Sequence, residues 1–331
     1  MKEALFYEKT DDGRVNCSLC PHNCTGIADG RTGVCRVRKN VGGKLFSLIY
    51  GEVTSVKVDP VEKKPLYHFY PGSDILSIGT WGCNFHCEWC QNWHISQQTV
   101  PTQSVTAEEI ARLAGENGSI GVAYTYNEPS IWFEFVCDCA VKVRERGLKN
   151  VLVTNGYINA GPAEKWLPLI DALNVDVKGM DEALYRRRIG GSLQPVLDGC
   201  VRAKKLAHVE ITNLVIPTLN DTDDHFHWVG RWMKESLGKE TPLHLSAYFP
   251  RHRLTIEPTP TGTLERAHGI CSEYLDYVYI GNAASSVGRD TRCTSCGTTL
   301  VSRFGYRVAV KGMKGPKCGR CGAPANIVIP I

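Results

Sequence analysis

Ser77-Ile-Gly-Thr-Trp-Gly-Cys-Asn-Phe-His-Cys-Glu-Trp-Cys-Gln-Asn92 is the stretch that decides the fold. Its three cysteines, Cys83, Cys87 and Cys90, stand at spacings of four and three residues. A structural zinc ion takes four ligands, and this loop offers three. A four-iron cluster also takes four thiolates, so three of them leave one iron open to a ligand that is not protein. The spacing therefore favours an iron–sulfur site with an open iron, and a zinc knuckle or buried free thiols are the alternatives.

Apolar runs alternate with segments of helical periodicity from Asp74 to about Ala284. Parallel strands need a crossover of this length, so the pattern predicts an α/β fold with a parallel sheet. We expect a partial (β/α)6 TIM-like barrel, with a doubly wound sheet as the alternative. A small antiparallel piece is predicted to lead into it from residues 45–70. The predicted strands of the sheet are Ile75–Gly79, Ile120–Thr125, Asn150–Thr154, Ala172–Val177, Val209–Val215, Leu243–Ala247 and Tyr277–Ile280.

Polar residues follow several of these strands, where barrels carry their active sites. They come from separate segments, so their convergence on one rim points to a functional site there. Tyr126, Tyr157, Tyr248, Arg251 and His252 are candidates for a substrate pocket. The other polar residues at strand ends are Asn127, Glu128, Thr154, Asn155, Asp176 and Lys178.

The cluster loop resembles that of the radical S-adenosylmethionine (SAM) enzymes, whose motif is Cys-x3-Cys-x-aromatic-Cys. Here the motif is Cys83, Cys87, the aromatic Trp89 and Cys90. The resemblance implies a 4Fe-4S cluster whose open iron is chelated by the amino and carboxylate groups of SAM. Reductive cleavage of the sulfonium would then give a 5′-deoxyadenosyl radical that attacks a substrate. It also implies a reductant such as ferredoxin or flavodoxin.

Within that family the chain is most similar to the pyruvate formate-lyase activating enzyme type. Glu128-Pro129 matches the end of a Gly-Gly-Glu-Pro segment, Asp176-Val177-Lys178 matches Asp-Leu-Lys, and Asn92 follows the third cysteine as expected. The chain departs from the type at the two glycines and near the sixth strand, where Phe249 replaces a histidine. The resemblance implies that SAM is contacted by Trp89, Asn92, Asn127, Glu128, Thr154, Asn155, Asp176 and Lys178.

Over nearly its full length the chain resembles the AmmeMemoRadiSam-type radical SAM proteins. The resemblance is carried by Cys17-x2-Cys20-Pro-His-x-Cys24, by residues 59–66 and by residues 83–93. It implies Memo-like and AMMECR-like partner proteins and leaves the substrate unknown. A glycyl-radical enzyme activase is the alternative within the enzyme class, although such activases have their extra cysteines after the cluster loop. A non-catalytic metal-binding adaptor is the alternative outside it.

Two further cysteine groups contain four thiols each. Cys17, Cys20, Cys24 and Cys35 lie in a loop-rich segment, for which we favour a structural zinc ion over a second iron–sulfur cluster. The C-terminal group predicts a zinc ribbon that docks on or caps the fold, with an auxiliary cluster as the alternative. Its ligands are Cys293, Cys296, Cys318 and Cys321.

The remaining cysteines, Cys137, Cys139, Cys200 and Cys271, are predicted to pack in the core. These assignments divide the chain into an N-terminal four-cysteine metal-binding and small β segment at 1–72, a barrel at 73–287 and a ribbon module at 288–331.

The composition limits the function classes. The 38 basic and 34 acidic residues give a net charge of +4, so the chain has no charge excess typical of nucleic-acid binding. No apolar run is long enough to span a membrane, and the N-terminus lacks the apolar core of a signal peptide. Eleven of the 15 cysteines fall in the three metal-type groups, which is typical of a reducing compartment. We therefore expect a cytoplasmic protein.

Overall fold

The computed structural model describes residues 1–329 and begins with short antiparallel strands. Strand β5 pairs with β1 on one side and β4 on the other, and β2 pairs with β3. Val15, Leu19 and Val37 of this segment are buried in the same hydrophobic cluster as the main sheet. The N-terminal segment therefore shares one core with the rest of the chain. Its strands are β1 (Lys2–Glu3), β2 (Tyr7–Lys9), β3 (Val15–Cys17), β4 (Arg38–Val41), β5 (Lys44–Ser47) and β6 (Glu52–Val53).

The main sheet contains seven parallel strands in chain order and one antiparallel edge strand. Its strands are β7 (Ser55–Pro60), β8 (Asp74–Gly79), β10 (Gly121–Tyr124), β11 (Lys149–Thr154), β12 (Ala172–Asp176), β13 (His208–Val215), β14 (Leu243–Ala247) and β15 (Val278–Gly281). A further short strand, β9 (Gln103–Ser104), pairs with β6. The parallel strands end within one residue of their predicted bounds. Strand β7, in the predicted antiparallel piece, pairs antiparallel with β8 and so extends the main sheet.

The helices between these strands lie along one face of the sheet. Neighbours contact each other in turn: α2 meets α3, α4 meets α6, and α7 meets both α6 and α8. A doubly wound sheet, the alternative, would carry helices on both faces, so the observed order fits the predicted barrel-type arrangement instead. The helices are α1 (Trp93–Ser96), α2 (Ala107–Glu116), α3 (Phe133–Glu145), α4 (Ala160–Trp166), α5 (Glu182–Leu184), α6 (Leu193–Lys204), α7 (Asp223–Leu237) and α8 (Thr261–Ser272).

The other face of the sheet, which we call the inner face, is covered at the amino ends of the strands by residues 61–70. The buried Glu210 of β13 fixes this segment, because its carboxylate accepts the backbone N–H groups of Tyr67 and His68 at 3.0 and 2.7 Å. The rings of His208 and His244 bind the same carboxylate at 2.9 and 2.7 Å. This end of the inner face is therefore closed, and only the carboxyl ends of the strands remain for a site.

The C-terminal module docks on the same closed end. Arg303 donates to the carbonyl oxygen of Tyr67 at 2.7 Å and lies 4.1 Å from the centroid of its ring. Val328 pairs with Phe69 in a β-bridge. The module thus caps the sheet, as the sequence predicted. Its strands are β16 (Thr291–Arg292), β17 (Thr299–Phe304), β18 (Arg307–Val310), β19 (Met313–Lys314) and β20 (Lys317–Cys318). Among the helices of residues 1–329, none has the length and apolar character needed to cross a membrane.

Candidate active site at the carboxyl ends of the strands

The cysteine loop, residues 80–92, follows β8 and is tied to the loop after β10 by two asparagines. Asn127 accepts the N–H of Thr80 at 3.0 Å and donates to the carbonyl oxygen of Gly82 at 2.9 Å. Asn92 donates to the carbonyl oxygen of Tyr126 at 2.7 Å. Both side chains were predicted to contact SAM. In the structure they brace the loop that carries the cysteines.

Glu128 organises a second set of contacts. Its buried carboxylate accepts the hydroxyl of Thr154 and the N–H of Asn155, both at 2.7 Å, and the N–H of Ser130 at 2.9 Å. Asn155 in turn donates to the side chain of Asn84, inside the cysteine loop, at 2.8 Å. Burial raises the pKa of Glu128, although the hydrogen bonds from Asn155 and Ser130 oppose this. Three predicted SAM-binding residues, Glu128, Thr154 and Asn155, are therefore brought together here, and Asn155 connects them to the cysteine loop.

The opposite side of the cysteine loop rests on a π-helical turn at Tyr185–Ile189. Glu88 forms an ion pair with Arg188 at 2.6 Å, and the N–H of His86 donates to the carbonyl oxygen of Ile189 at 2.7 Å. The carbonyl oxygen of Glu88 also accepts the N–H of Leu254. Sequence reasoning missed these supports, because a single pair of opposite charges so far apart in the chain gives no recognisable pattern.

Asp176 and Lys178 lie at the end of β12, where the sequence placed them. The Nζ of Lys178 is 3.1 Å from a carboxylate oxygen of Asp176. Burial acts to lower the pKa of Lys178, but the Asp176 carboxylate and the Cys87 sulfur together hold this pKa above its usual value. Lys178 therefore stays protonated and sets a positive charge near the second cysteine of the loop.

The inner face is open towards the carboxyl ends of the strands. Towards the carboxyl ends of these strands, Val153, Asp176, Leu214 and Ser246 are partly exposed. The strand pairing puts them on one side of the sheet, since Asp176 pairs with Thr212, two residues before Leu214, and Leu214 pairs with Ser246. Three of these residues were missed, and the register between strands was the signal needed to find them.

The residues predicted to line a substrate pocket behave differently from one another. Tyr248 is buried and its hydroxyl donates to a backbone carbonyl oxygen at 2.8 Å, so its assignment to a pocket is wrong. The hydroxyl of Tyr126 is bound to Asp59 at 2.8 Å. Arg251 is exposed. The ring of His252 stacks on the ring of Trp93, in helix α1, which follows the cysteine loop. Tyr157 is buried against the cysteine loop, where its ring lies 4.8 Å from that of Phe85.

Burial in the cysteine loop affects how readily its thiols ionise. Burial raises the pKa of Cys87 to about 12 and that of Cys83 well above its ordinary value. A bound metal ion would favour the thiolate form at these positions. Within residues 1–329, the sulfurs of Cys83, Cys87 and Cys90 do not form a group lying within 4.8 Å of one another. The edge of a zinc–sulfur tetrahedron is about 3.8 Å, so these three sulfurs are not all drawn together as closely as the ligands of a zinc ion.

The C-terminal thiols show the contrasting geometry. The sulfurs of Cys293, Cys296, Cys318 and Cys321 all lie within 4.8 Å of one another. Two of the separations, Cys293 to Cys321 and Cys296 to Cys318, are 3.6 and 3.7 Å. These values are close to the edge of a zinc–sulfur tetrahedron, about 3.8 Å. The donor set therefore fits one zinc ion, in a hairpin module of the predicted kind.

The N-terminal thiols form no such compact group within residues 1–329. Cys17, Cys20 and Cys35 are buried, and Cys24 is partly exposed. A zinc ion at this set stays a prediction. The core thiols are as expected, since Cys139, Cys200 and Cys271 are buried, whereas Cys137 is partly exposed.

The sequence of this chain is similar to a known protein family and to several known proteins. The family model of the radical SAM superfamily matches residues 77–229, which include the cysteine loop and the strands that follow it. The uncharacterized protein MJ0808 of Methanocaldococcus jannaschii is 42% identical over 99% of this chain and 100% of its own. Pyruvate formate-lyase 1-activating enzyme of Escherichia coli is 25% identical over 58% of this chain and 86% of its own.

Among solved structures, SuiB of Streptococcus suis bound to S-adenosylmethionine is similar in fold. Its TM-score is 0.50 at 14% identity, covering 65% of this chain and 50% of that one.

Proposed function

Because the chain belongs to the radical SAM superfamily and is an enzyme, we propose that Cys83, Cys87 and Cys90 bind a 4Fe-4S cluster at which SAM is cleaved reductively. Bound there, the cluster and SAM would supply a 5′-deoxyadenosyl radical for chemistry on a substrate that is still to be identified. The observation that carries the proposal is the loop itself. It places three thiols, at the spacing Cys-x3-Cys-x2-Cys, at the open end of the inner face.

The chain's own residues would position the reactants. Asn127 and Asn92 hold the cysteine loop directly. Glu128 acts through Asn155, which donates to Asn84 of the loop. Asp176 and Lys178 present a carboxylate and an ammonium group beside Cys87, where they can orient the charged end of SAM or a charged substrate. The proposed SAM-binding set remains Trp89, Asn92, Asn127, Glu128, Thr154, Asn155, Asp176 and Lys178.

The test is an anaerobic assay of the iron-loaded protein with SAM and dithionite. We expect 5′-deoxyadenosine, or another SAM cleavage product, from the wild type and only background from Cys87→Ala. Cys137→Ala is the matched control, since this partly exposed thiol belongs to none of the three cysteine groups. It should retain cleavage. Absence of any cleavage product from iron-loaded wild type would refute the enzyme proposal and favour a metal-binding adaptor.

A second candidate is an activating enzyme that generates a glycyl radical on a protein. It is favoured by two relatives: the Escherichia coli enzyme above and a putative glycyl-radical enzyme activating enzyme, MJ1632, of Methanocaldococcus jannaschii, 23% identical over 62% of this chain. Electron paramagnetic resonance of a co-purified partner would decide. A doublet from a glycyl radical, dependent on SAM, would support this candidate.

The proposal also covers the segments of the chain, its partner proteins, its reductant and its location. The full-length match to MJ0808 supports the three segments, 1–72, 73–287 and 288–331, as parts of one protein built on a partial (β/α)6 barrel with a zinc ribbon. We also propose that the protein belongs to an AmmeMemoRadiSam-type system with Memo-like and AMMECR-like partners. A one-electron donor such as ferredoxin or flavodoxin would act as its reductant. A cytoplasmic location is supported by the cysteines, since all 15 are free thiols in the structure.

A further inference from the structure

We propose that Cys17, Cys20, Cys24 and Cys35 bind a second iron–sulfur cluster, and that the zinc content of the chain is limited to the C-terminal module. This goes beyond the proposed function, which concerns only the loop of Cys83. It also reverses the preference for zinc that the sequence favoured at this segment.

Sulfur separations within the same chain provide the main argument. The C-terminal set is drawn into a group within 4.8 Å, with the short separations of a zinc tetrahedron. Among residues 1–329, neither the N-terminal set nor the loop of Cys83 forms such a group. A cubane cluster binds each thiolate at a different iron and holds the sulfurs apart by its own width. The N-terminal set therefore shares one feature with the proposed cluster loop: its sulfurs are not all drawn together to the distances of the zinc-type set.

Backbone N–H groups face the N-terminal sulfurs, as they commonly do at metal-binding thiolates. The N–H groups of Leu19, His22 and Val37 each face the sulfur of the cysteine two residues earlier. The N–H of Val34 lies 3.4 Å from the sulfur of Cys24. Phe85 donates to Cys83 in the same way, at 3.4 Å. Hydrogen bonds of this kind stabilise thiolates and tune clusters, so the set is more than four buried thiols.

The N-terminal set packs directly against the loop of Cys83. The ring of His22 binds the carbonyl oxygen of Asn84 at 2.7 Å. Gly82 comes so close to the N-terminal segment that a Cβ there would lie 3.1 Å from the carbonyl oxygen of Cys35. Two clusters in these positions would be separated by little more than one layer of backbone. Their unpaired spins should therefore interact when both clusters are reduced.

The test is metal analysis of the full-length protein after anaerobic loading with iron, sulfide and zinc. If both iron sites hold four-iron clusters, we expect about eight irons and one zinc per chain. Cys20→Ala should lose about half of the iron and keep the zinc. Cys318→Ala is the matched control, which should keep the iron and lose the zinc. Four irons and two zincs in the wild type, with loss of one zinc in Cys20→Ala, would overturn the proposal.

Cys87→Ala provides a second measurement in case Cys20→Ala fails to fold. It removes a ligand of the proposed catalytic cluster and leaves the N-terminal set intact. We expect the reduced variant to keep a cluster signal in electron paramagnetic resonance, narrower than in the wild type because the magnetic partner is gone. A variant with zinc and no iron signal would refute the second cluster. This readout does not depend on SAM cleavage, so the two proposals can fail separately.

Discussion

The ion pair between Arg38 and Glu134 is the place where the N-terminal segment is fastened to the main sheet's helices. Both side chains are buried, at 1% and 4% exposure, and one guanidinium nitrogen lies 2.6 and 2.8 Å from the two carboxylate oxygens. The same two side chains bind both backbone groups of Leu5, at 2.9 and 2.8 Å. Arg38→Met would remove the cation and leave the carboxylate buried without a charged partner.

Removing one member of a buried pair costs about 3–5 kcal/mol, because the remaining charge is left desolvated. We therefore expect Arg38→Met to lower the free energy of unfolding by about that amount. The double variant Arg38→Met with Glu134→Gln should recover part of the loss, since no buried charge remains. Arg112→Met is the matched control: its partner Glu116 lies at 2.6 Å, but both side chains are about half exposed. That pair should contribute only about 0.3–0.5 kcal/mol.

Urea unfolding of the anaerobically loaded protein measures these differences, and hydrogen exchange of residues 1–41 reports whether the N-terminal segment opens first. Faster exchange in that segment is expected for Arg38→Met and not for Arg112→Met. If the two variants were equally stable, or if the double variant were no more stable than Arg38→Met, the argument from a buried charge would be refuted.

Three further predictions concern other parts of the chain. Burial acts to raise the pKa of Asp59, but the hydrogen bond from Lys64 holds it well below its ordinary value of 3.8. The stabilisation from the Asp59 carboxylate is present above its pKa in the unfolded chain and is lost as the pH falls through its pKa in the folded chain. In urea unfolding, Asp59→Asn should therefore be less stable than wild type at neutral pH, and the two stabilities should become equal in acid. Lys178→Met should raise KM for SAM roughly tenfold or more in the 5′-deoxyadenosine assay if its charge orients the reactants, and an unchanged KM would contradict that role. Thr106→Ala should cost about 1 kcal/mol in thermal unfolding, because it removes the capping box at the start of α2; an equal melting temperature would contradict this.

Much of the sheet was predictable, because short apolar runs such as Leu243–Ala247 are long enough to form strands and too short for helices. Strand β7 was not assigned to the sheet, since its alternating residues at Ser55–Pro60 suit any antiparallel pair and the partner is chosen by tertiary contacts. The capping box of α2 was readable from Thr106 and Glu109 alone, because such a cap is made within one turn.

The candidate site was predictable in position but not in detail. Strand ends meet at one edge, so Glu128, Asn155 and Asp176 were expected near the cysteine loop. Their partners were not, because the hydrogen bond from Asn155 to Asn84 joins residues 71 apart in sequence. The sequence also suggested that Tyr248 would face a pocket, whereas the turn after β14 directs its hydroxyl to a backbone carbonyl oxygen. Spacing reveals which residues are close along the chain, and side-chain direction depends on contacts that form later.

The docking of the C-terminal module has a consequence for biosynthesis. His68 binds the backbone of Asn326, which is 258 residues further along, and Arg303 reaches back to Tyr67. At ribosomal speeds of about 5–20 residues per second, these partners emerge roughly 10–50 s after the segment they cover. A nascent chain therefore exposes residues 67–68, at the closed end of the inner face, for most of its synthesis. Completion of the C-terminal module would cover this surface, so chains released early should be recognised by chaperones and proteases as incompletely folded.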